Sequence, residues 1–201
     1  PNKGVINDQA TVEEVTMAYA KYGASGISVL TDTEFFGGSL NDLLAATINE
    51  VPLLRKDFMI DEYQLIEAKA HGAEVILLIA ACLTPSKVKS MAATAKSLGL
   101  EVLLEIHNEQ ELEHICDSID LVGVNNRNLK TFEVSIDTSL ALIKQIPTNK
   151  LAIAESGISN VDTIVTLRQA GFKGFLIGEN FMKQASPSIA FADFVHQLKA
   201  K

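Results

Sequence analysis

The stretch 51-VPLLRKDFMID-61 opens as an apolar strand and runs without a turn residue into Arg55, Lys56 and Asp57. A lysine at the edge of a core needs water or a counter-ion, so its place directly beyond an apolar run calls for a reason. The arrangement recurs along the chain. Short β-branched or leucine-rich runs stand at 24–30, 51–54, 75–80, 102–106, 121–124, 151–154 and 174–177. Between them lie segments of helical periodicity with start signals, such as Asp61 before Tyr63, Thr84-Pro85 before Val88 and Asn160 before Ile164. The runs are nearly continuously apolar rather than alternating, which predicts parallel strands covered on both faces. Strict alternation of strand and helix then predicts an α/β sheet or barrel.

The residues after each run decide between the two. Their carboxyl ends carry Thr31-Asp32, Lys56-Asp57, Glu105-His107, Asn125-Asn126-Arg127, Glu155-Ser156-Gly157 and Gly178-Glu179-Asn180. Only the run at 75–80 continues apolar, through Leu77, Ile79 and Ala81. In a (β/α)8 TIM barrel such ends converge on one mouth, where active sites sit. An open nucleotide-binding sheet would carry a glycine-rich turn after its first strand, and neither G-x-G-x-x-G nor G-x-x-x-x-G-K-[ST] occurs. The expected fold is therefore a single β/α-barrel domain over residues 1–201. Closure needs eight strands and the chain offers seven, so the first strand is expected to be absent from it.

Composition narrows the function. The 201 residues are 47% hydrophobic with five prolines, enough for one large core. A formal charge of -8 and the lack of a basic cluster argue against nucleic acid as a partner. No apolar run approaches the ~20 residues that cross a bilayer, so no membrane partner is expected. Cys82 and Cys116 are too few for a disulfide framework and have no metal-ligand spacing. They read as small buried apolar residues in a reducing, cytoplasmic compartment.

Two glycine-bearing strand ends suggest an anion site. Ser156-Gly157-Ile158 and Ile177-Gly178-Glu179-Asn180 place backbone amides where a ligand can approach, and 180–182 is expected to begin a short helix. Loops after the last two strands of a barrel, with such a helix, commonly hold phosphate. Among the histidines, His107 is expected to brace its loop. Glu111 and His114 form a Glu-x-x-His spacing expected on the solvated face of a surface helix.

Taken together, the motifs have a family likeness. They are Ser28-Val29-Leu30-Thr31-Asp32 with Phe36 and Gly38-Ser39; Leu54-Arg55-Lys56-Asp57-Phe58; Gly72-Ala73; and Ile76-Leu77-Leu78-Ile79. Then follow Glu105-Ile106-His107, the specific run 123-GVNNRNLKTFEV-134, Glu155-Ser156-Gly157-Ile158 and Leu176-Ile177-Gly178-Glu179. In this order the chain resembles the indole-3-glycerol-phosphate synthase family of tryptophan biosynthesis. The resemblance implies decarboxylating ring closure of 1-(2-carboxyphenylamino)-1-deoxyribulose 5-phosphate to indole-3-glycerol phosphate, carbon dioxide and water, with no cofactor and no metal.

The same resemblance assigns roles. Lys56 matches the general acid that protonates the ketone oxygen; partial desolvation or neighbouring cations would lower its pKa toward neutrality. Asp57 is expected to support it or to cap the following turn, while Arg55, on the opposite side of an alternating strand, belongs to structure. Glu105 matches the base or stabiliser of the cationic intermediate, Glu155 a second carboxylate and Asn125 a hydrogen-bonding group. Ser156, Gly157, Gly178 and the amide of Glu179 fill the phosphate positions. Phe58, Leu77 and Phe36 are candidates for the aromatic-ring slot, and Arg127 braces the same site more than it touches ligand. The expected partner is a phosphorylated small molecule, with a monomer or weak homodimer as the assembly.

One departure stands out. The family usually opens with an extra helical region and a first strand ending in Glu, Lys and Ser, followed by Pro-Ser-Lys-Gly. This chain begins 1-PNKG-4, with Asn2 where serine is usual, and the strand-one lysine and glutamate have no counterpart. That gap supports one alternative, a non-catalytic phosphate-ligand binding or assembly subunit; a second alternative, another phosphate-binding barrel enzyme of the same pathway, ranks lower because such barrels lack the Lys-Asp-Phe and Asn-Asn-Arg-Asn combination.

Overall fold

The computed structural model describes residues 7, 10–129 and 131–201. The seven strands foreseen from the apolar runs are β1 (Ile27–Leu30), β2 (Leu53–Lys56), β3 (Val75–Ile79), β4 (Glu101–Ile106), β5 (Leu121–Asn125), β6 (Leu151–Glu155) and β7 (Gly174–Leu176). They pair in sequence order, each parallel to the next. The helices are α1 (Val12–Tyr22), α2 (Leu40–Ala46), α3 (Tyr63–Ala70), α4 (Pro85–Ser97), α5 (Asp137–Leu142), α6 (Val161–Ala170), α7 (Glu179–Met182) and α8 (Pro187–Lys199). After β4 the crossover holds a 3-10 helix, Glu109–His114. The stretch 1-PNKG-4 lies outside the described residues.

Local chemistry starts the helices where the sequence suggested. Thr84 accepts from the amide of Lys87, and Asn160 from that of Thr163. At α3 the cap differs: Asp61 accepts from the amide of Tyr63, while Glu62 occupies the cap position without a side-chain bond.

Alternation along the strands builds two cores. Ile76, Leu78, Val102, Leu104, Ile106, Val122, Val124, Ala152 and Ala154 face outward and pack under the helices. Leu54, Leu77, Ile79 and Leu103 face inward, with Val75, Leu121, Ile153 and Leu176 packed against them. Burial on both faces is why the strands read as continuous apolar runs.

Three strands extend further than their apolar runs. Lys56, Asn125 and Glu155 are strand residues, not the first loop positions, and Asn125 pairs in register with Glu155. A polar side chain does not interrupt backbone pairing when it points into the mouth. Among the described residues β1 and β7 remain the two edges of the sheet, so seven of the eight strands of a (β/α)8 barrel are present. The outer layer is continuous across that gap. Tyr19 of α1 packs on Phe191 of α8 with ring centres 4.6 Å apart, and Phe181 of α7 meets Phe194 of α8 at 5.3 Å.

Two expectations on this layer need correction. Cys82, at the end of the turn after β3, is exposed, and Cys116 is half-buried against the outer core, both as free thiols. His114 is buried, its Nε2 2.9 Å from the carbonyl of Leu83, because the tighter 3-10 winding turns it toward α4 instead of solvent.

Candidate active site

Inward positions at the carboxyl ends of the strands form one layer. Register sets Ile79 beside Glu105, Glu105 beside Gly123, and Asn125 beside Glu155. From β2, Lys56 reaches across this layer: its Nζ donates to Glu105 Oε2 at 3.2 Å and to Glu155 Oε2 at 3.4 Å. Asn125 Nδ2 donates to Glu105 Oε1 at 3.0 Å, and Asn125 Oδ1 accepts from the amide of Arg127 at 2.9 Å. Both ends of the Asn125 amide are thereby used to orient its neighbours.

One cation serves two buried carboxylates, and the charges divide unevenly. Burial alone would lower the Lys56 pKa, but Glu155 and Glu105 outweigh it and hold the ammonium above the ordinary lysine range. Burial would raise Glu105; Lys56, His107 and Asn125 overcome it and keep that carboxyl well below the usual range. Glu155 is pushed up to about 7, by burial and by the Glu105 carboxylate, against the pull of Lys56. Its Oε1 is buried and has no hydrogen-bond partner among the described residues. The layer thus holds an ionised Glu105 and a charged Lys56, with Glu155 the acid of the pair that keeps a proton more readily. The expected lowering of the Lys56 pKa is therefore corrected: the neighbours are anions, not cations.

Gly123 makes room for this arrangement. A Cβ there would overlap Glu155 Oε1, so only glycine lets the carboxylate lie across β5. In the sequence Gly123 is marked only as the start of the run 123–134; it stands two residues before Asn125 on the same inward parity.

His107 braces its loop through Glu111, as expected, and also lies against Glu105. It follows Glu105 by two residues, and its side chain is 8% exposed. Nε2 stands 3.1 Å from Glu105 Oε1, outside hydrogen-bond alignment, and Nδ1 stands 3.2 Å from Glu111 Oε2. Burial opposes its charging, but Glu105 and Glu111 prevail and raise its pKa to about 9.

Arg55 and Asp57 face the other way. Arg55 Nη2 pairs with Asp57 Oδ2 and with Glu67 Oε2, both at 2.8 Å, and Thr31 Oγ1 donates to Asp57 Oδ2 at 2.6 Å. The expected support of Lys56 by Asp57 gives way to this outer cluster, because strand alternation separates adjacent residues.

Of the three candidates for the ring slot, the structure brings Phe36 and Phe58 together. Phe36 and Phe58 stack with centres 4.8 Å apart and planes at 12°, and Phe35 meets Phe58 edge-on. Asp32 Oδ1 accepts from the amides of Phe35 and Phe36 and so holds that loop over β2. Leu77 is fully buried one layer below Glu105; the β3 position in the reacting layer belongs to Ile79.

Beyond β6, Ser156 and Gly157 both take left-handed backbone, with φ of 64° and 72°. For serine that costs about 1–2 kcal/mol and needs an outside hold. Asn126, 2% exposed, supplies it: Nδ2 donates to the Ser156 carbonyl, and Oδ1 accepts from the amide and hydroxyl of Ser139 on α5. Val134, from the loop after β5, covers Gly157, so a side chain there would clash. α7 begins at Glu179, one residue earlier than the sequence suggests, with Gly178 at its cap position. Arg127 Nη2 reaches Glu179 Oε2 at 3.4 Å, tying the loops after β5 and β7 together as a brace. That contact occupies the carboxylate of Glu179, leaving only its amide as the candidate donor.

The model of the family described as indole-3-glycerol phosphate synthase matches residues 1–194. The chain belongs to the indole-3-glycerol phosphate synthase family. An indole-3-glycerol phosphate synthase of Bacteroides thetaiotaomicron is 48% identical over 200 residues, spanning 99% of this chain and 77% of that protein. One of Chromobacterium violaceum is 46% identical over 196 residues, spanning 96% and 73%. Solved structures support the fold. The tryptophan synthase A-subunit of Pyrococcus furiosus superposes with a TM-score of 0.73 at 14% identity, covering 100% of this chain and 96% of that one. The 3-hexulose-6-phosphate synthase of Salmonella typhimurium gives 0.73 at 15%, with 96% of each chain covered. Within the indole-3-glycerol phosphate synthase family this chain thus keeps Lys56, Glu105, Asn125 and Glu155 in one contiguous layer. No group of three or more metal-ligating side chains is found among the described residues, and no described helix is long and apolar enough to cross a membrane.

Proposed function

We propose that this chain performs the carboxy-lyase reaction of its family, converting 1-(2-carboxyphenylamino)-1-deoxyribulose 5-phosphate to indole-3-glycerol phosphate, carbon dioxide and water. The observation that carries the reading is the Lys56 ammonium held between Glu105 and Glu155 at the mouth of the barrel. Phosphate binds at the loops of Ser156-Gly157 and Gly178-Glu179, and the anthranilate ring lies against Phe36 and Phe58.

In the first step the ring carbon bearing the carboxylate attacks the ketone carbon. The carbonyl pair takes a proton from Lys56 and becomes a hydroxyl. Carbon dioxide then leaves, its bonding pair neutralising the cationic intermediate. Finally the hydroxyl departs as water with a proton, and loss of a ring-system proton restores the aromatic indole. Glu105 stays ionised and stabilises the cationic stage. Glu155, with a pKa of about 7, is matched to carry protons in both directions near neutral pH. The Lys56 proton is released more readily once substrate weakens its pairing with the two acids. The proposal includes a cytoplasmic setting and a monomer or weak homodimer.

A fluorescence assay for the indole product tests it, using the full-length protein with Lys56→Ala and Glu105→Gln. We expect turnover in the parent and a loss of about 10²–10⁴ in each variant. Undiminished turnover in both would discard the assigned chemistry.

A further inference from the structure

We propose that His107 is a positioning residue which, as an imidazolium clamped between Glu105 and Glu111, keeps Glu105 ionised and thereby leaves Glu155 as the proton-carrying acid of the pair. The inference rests on the function proposed above and assigns the two carboxylates their separate tasks.

Glu111 is held in place by its own loop. Its Oε2 accepts from the His107 amide at 2.7 Å, its Oε1 accepts from Asn108 Nδ2 at 2.9 Å, and its own amide donates to Asn108 Oδ1. The carboxylate is fixed before the imidazole is considered. Glu111 Oε2 has only lone pairs to offer, so His107 Nδ1, 3.2 Å away, must carry a proton. At the ring's other nitrogen, Nε2, Glu105 Oε1 stands 3.1 Å away, close but outside hydrogen-bond alignment. A neutral imidazole protonated at Nδ1 would leave an electron-rich Nε2 against a carboxylate oxygen, whereas a charged ring is attracted to it at that distance. Glu105 cannot relieve it by taking a proton cheaply, because Lys56 and Asn125 both donate to the same carboxylate. Both ring nitrogens therefore carry protons, and the ring is a cation between two anions.

The surrounding charges agree. Glu105 faces the ring from β4 and Glu111 from the 3-10 helix after it. The Cys82 thiol, in the turn after β3, lies in the field of both acids, which raise its pKa after burial does. Lys56 and Glu155 stand beyond Glu105. The His107 pKa, raised to about 9, fits a ring charged at working pH.

With two cations and an amide on Glu105, the shared negative charge settles there. Glu155 has only part of Lys56, and one of its oxygens has no donor among the described residues. The asymmetry between the acids then comes from His107 and Asn125, which touch Glu105 alone.

His107→Gln and Glu111→Gln test the assignment, with nitrogen NMR of the imidazole and carbon NMR of labelled glutamate carboxyls in the substrate-free protein. We expect a doubly protonated His107 at pH 7.5 in the parent. In His107→Gln the Glu105 carboxyl titrates at higher pH than in the parent, and the acid limb of kcat moves toward neutrality. In that variant kcat falls roughly tenfold, less than loss of a general acid or base itself, with KM little changed. Glu111→Gln leaves the ring with one anion and lowers the pH at which it loses its proton. A neutral His107 at pH 7.5, or a Glu105 titration unmoved in His107→Gln, overturns the proposal. The NMR readouts hold without turnover, so failure of the assigned reaction is distinguishable from failure of the clamp.

Discussion

Lys56 Nζ lies 3.4 Å from Glu155 Oε2, although β3, β4 and β5 stand between their strands in the sheet. Such a contact is possible only if the sheet curls until β2 and β6 face each other. The barrel and the site are thus one geometric fact: the curvature that buries Leu54, Leu77 and Leu103 inside also brings one ammonium to two carboxylates.

The burial of Glu155 beside Glu105 predicts how stability follows pH. Folded Glu155 keeps its proton up to about pH 7, whereas an unperturbed glutamate releases it near 4.5. Between those values the folded state binds more protons than the unfolded, so this group's contribution falls as pH rises from about 4.5 through about 7. Glu155→Gln cannot titrate. Urea unfolding at pH 5, 6, 7 and 8 should show the decline in the parent made shallower in the variant, with the variant gaining most at pH 8. Parallel curves would contradict the raised pKa.

Arg55 offers the opposite test on the adjacent residue of the same strand. Its guanidinium is shared by Asp57 and Glu67 on the outer face. Arg55→Met leaves two carboxylates without their cation, Asp57 almost fully buried, and is expected to cost about 3–5 kcal/mol in chemical denaturation. The folded fraction should keep its kcat. A large kcat loss at full folding would show that the outer cluster reaches the chemistry.

This parity also explains what could be read in advance. Seven apolar runs and their charged ends were enough for the barrel, because parallel strands buried on both faces leave a continuous signature and the mouth is polar. Lys56 and Glu105 were legible as strand-end charges. The pKa of Lys56 was not, since its sign depends on which side chains meet across three strands. Asp57, the residue after β2, does not reach Lys56 because neighbours along an extended chain point to opposite sides, so adjacency in sequence is not contact. Gly123 was legible only as the start of a motif because a glycine leaves no chemical mark; its meaning is the space that Glu155 fills.

That space yields a sharp prediction. Gly123→Ala would set a methyl group against Glu155 Oε1 and push the carboxylate off Lys56. The expected cost is about 1–3 kcal/mol of stability, as for other overpacked cores, together with a loss of kcat. Combining it with Glu155→Ala should recover much of the stability and none of the activity. A double-mutant cycle by urea denaturation measures this, and strict additivity would mean that the two groups do not compete for the same volume.

Asn126 governs the other half of the site. Its side chain links the Ser156 carbonyl to the amide and hydroxyl of Ser139, holding a left-handed serine beside the loop assigned to phosphate. Asn126→Ala deprives buried groups of their partners, which costs about 1–3 kcal/mol. It also frees Ser156 to relax toward ordinary backbone, so amides aimed at a phosphate lose their alignment. KM for the phosphorylated substrate should therefore rise more than kcat falls, because the reacting layer of Lys56, Glu105 and Glu155 is left in place. Asn126→Asp is the discriminating companion. It keeps an acceptor for Ser139 but faces the Ser156 carbonyl with an oxygen in place of the donor. Steady-state kinetics on both variants should show the KM defect in each. A variant that lost only kcat would place Asn126 with the chemistry instead of the anion loop.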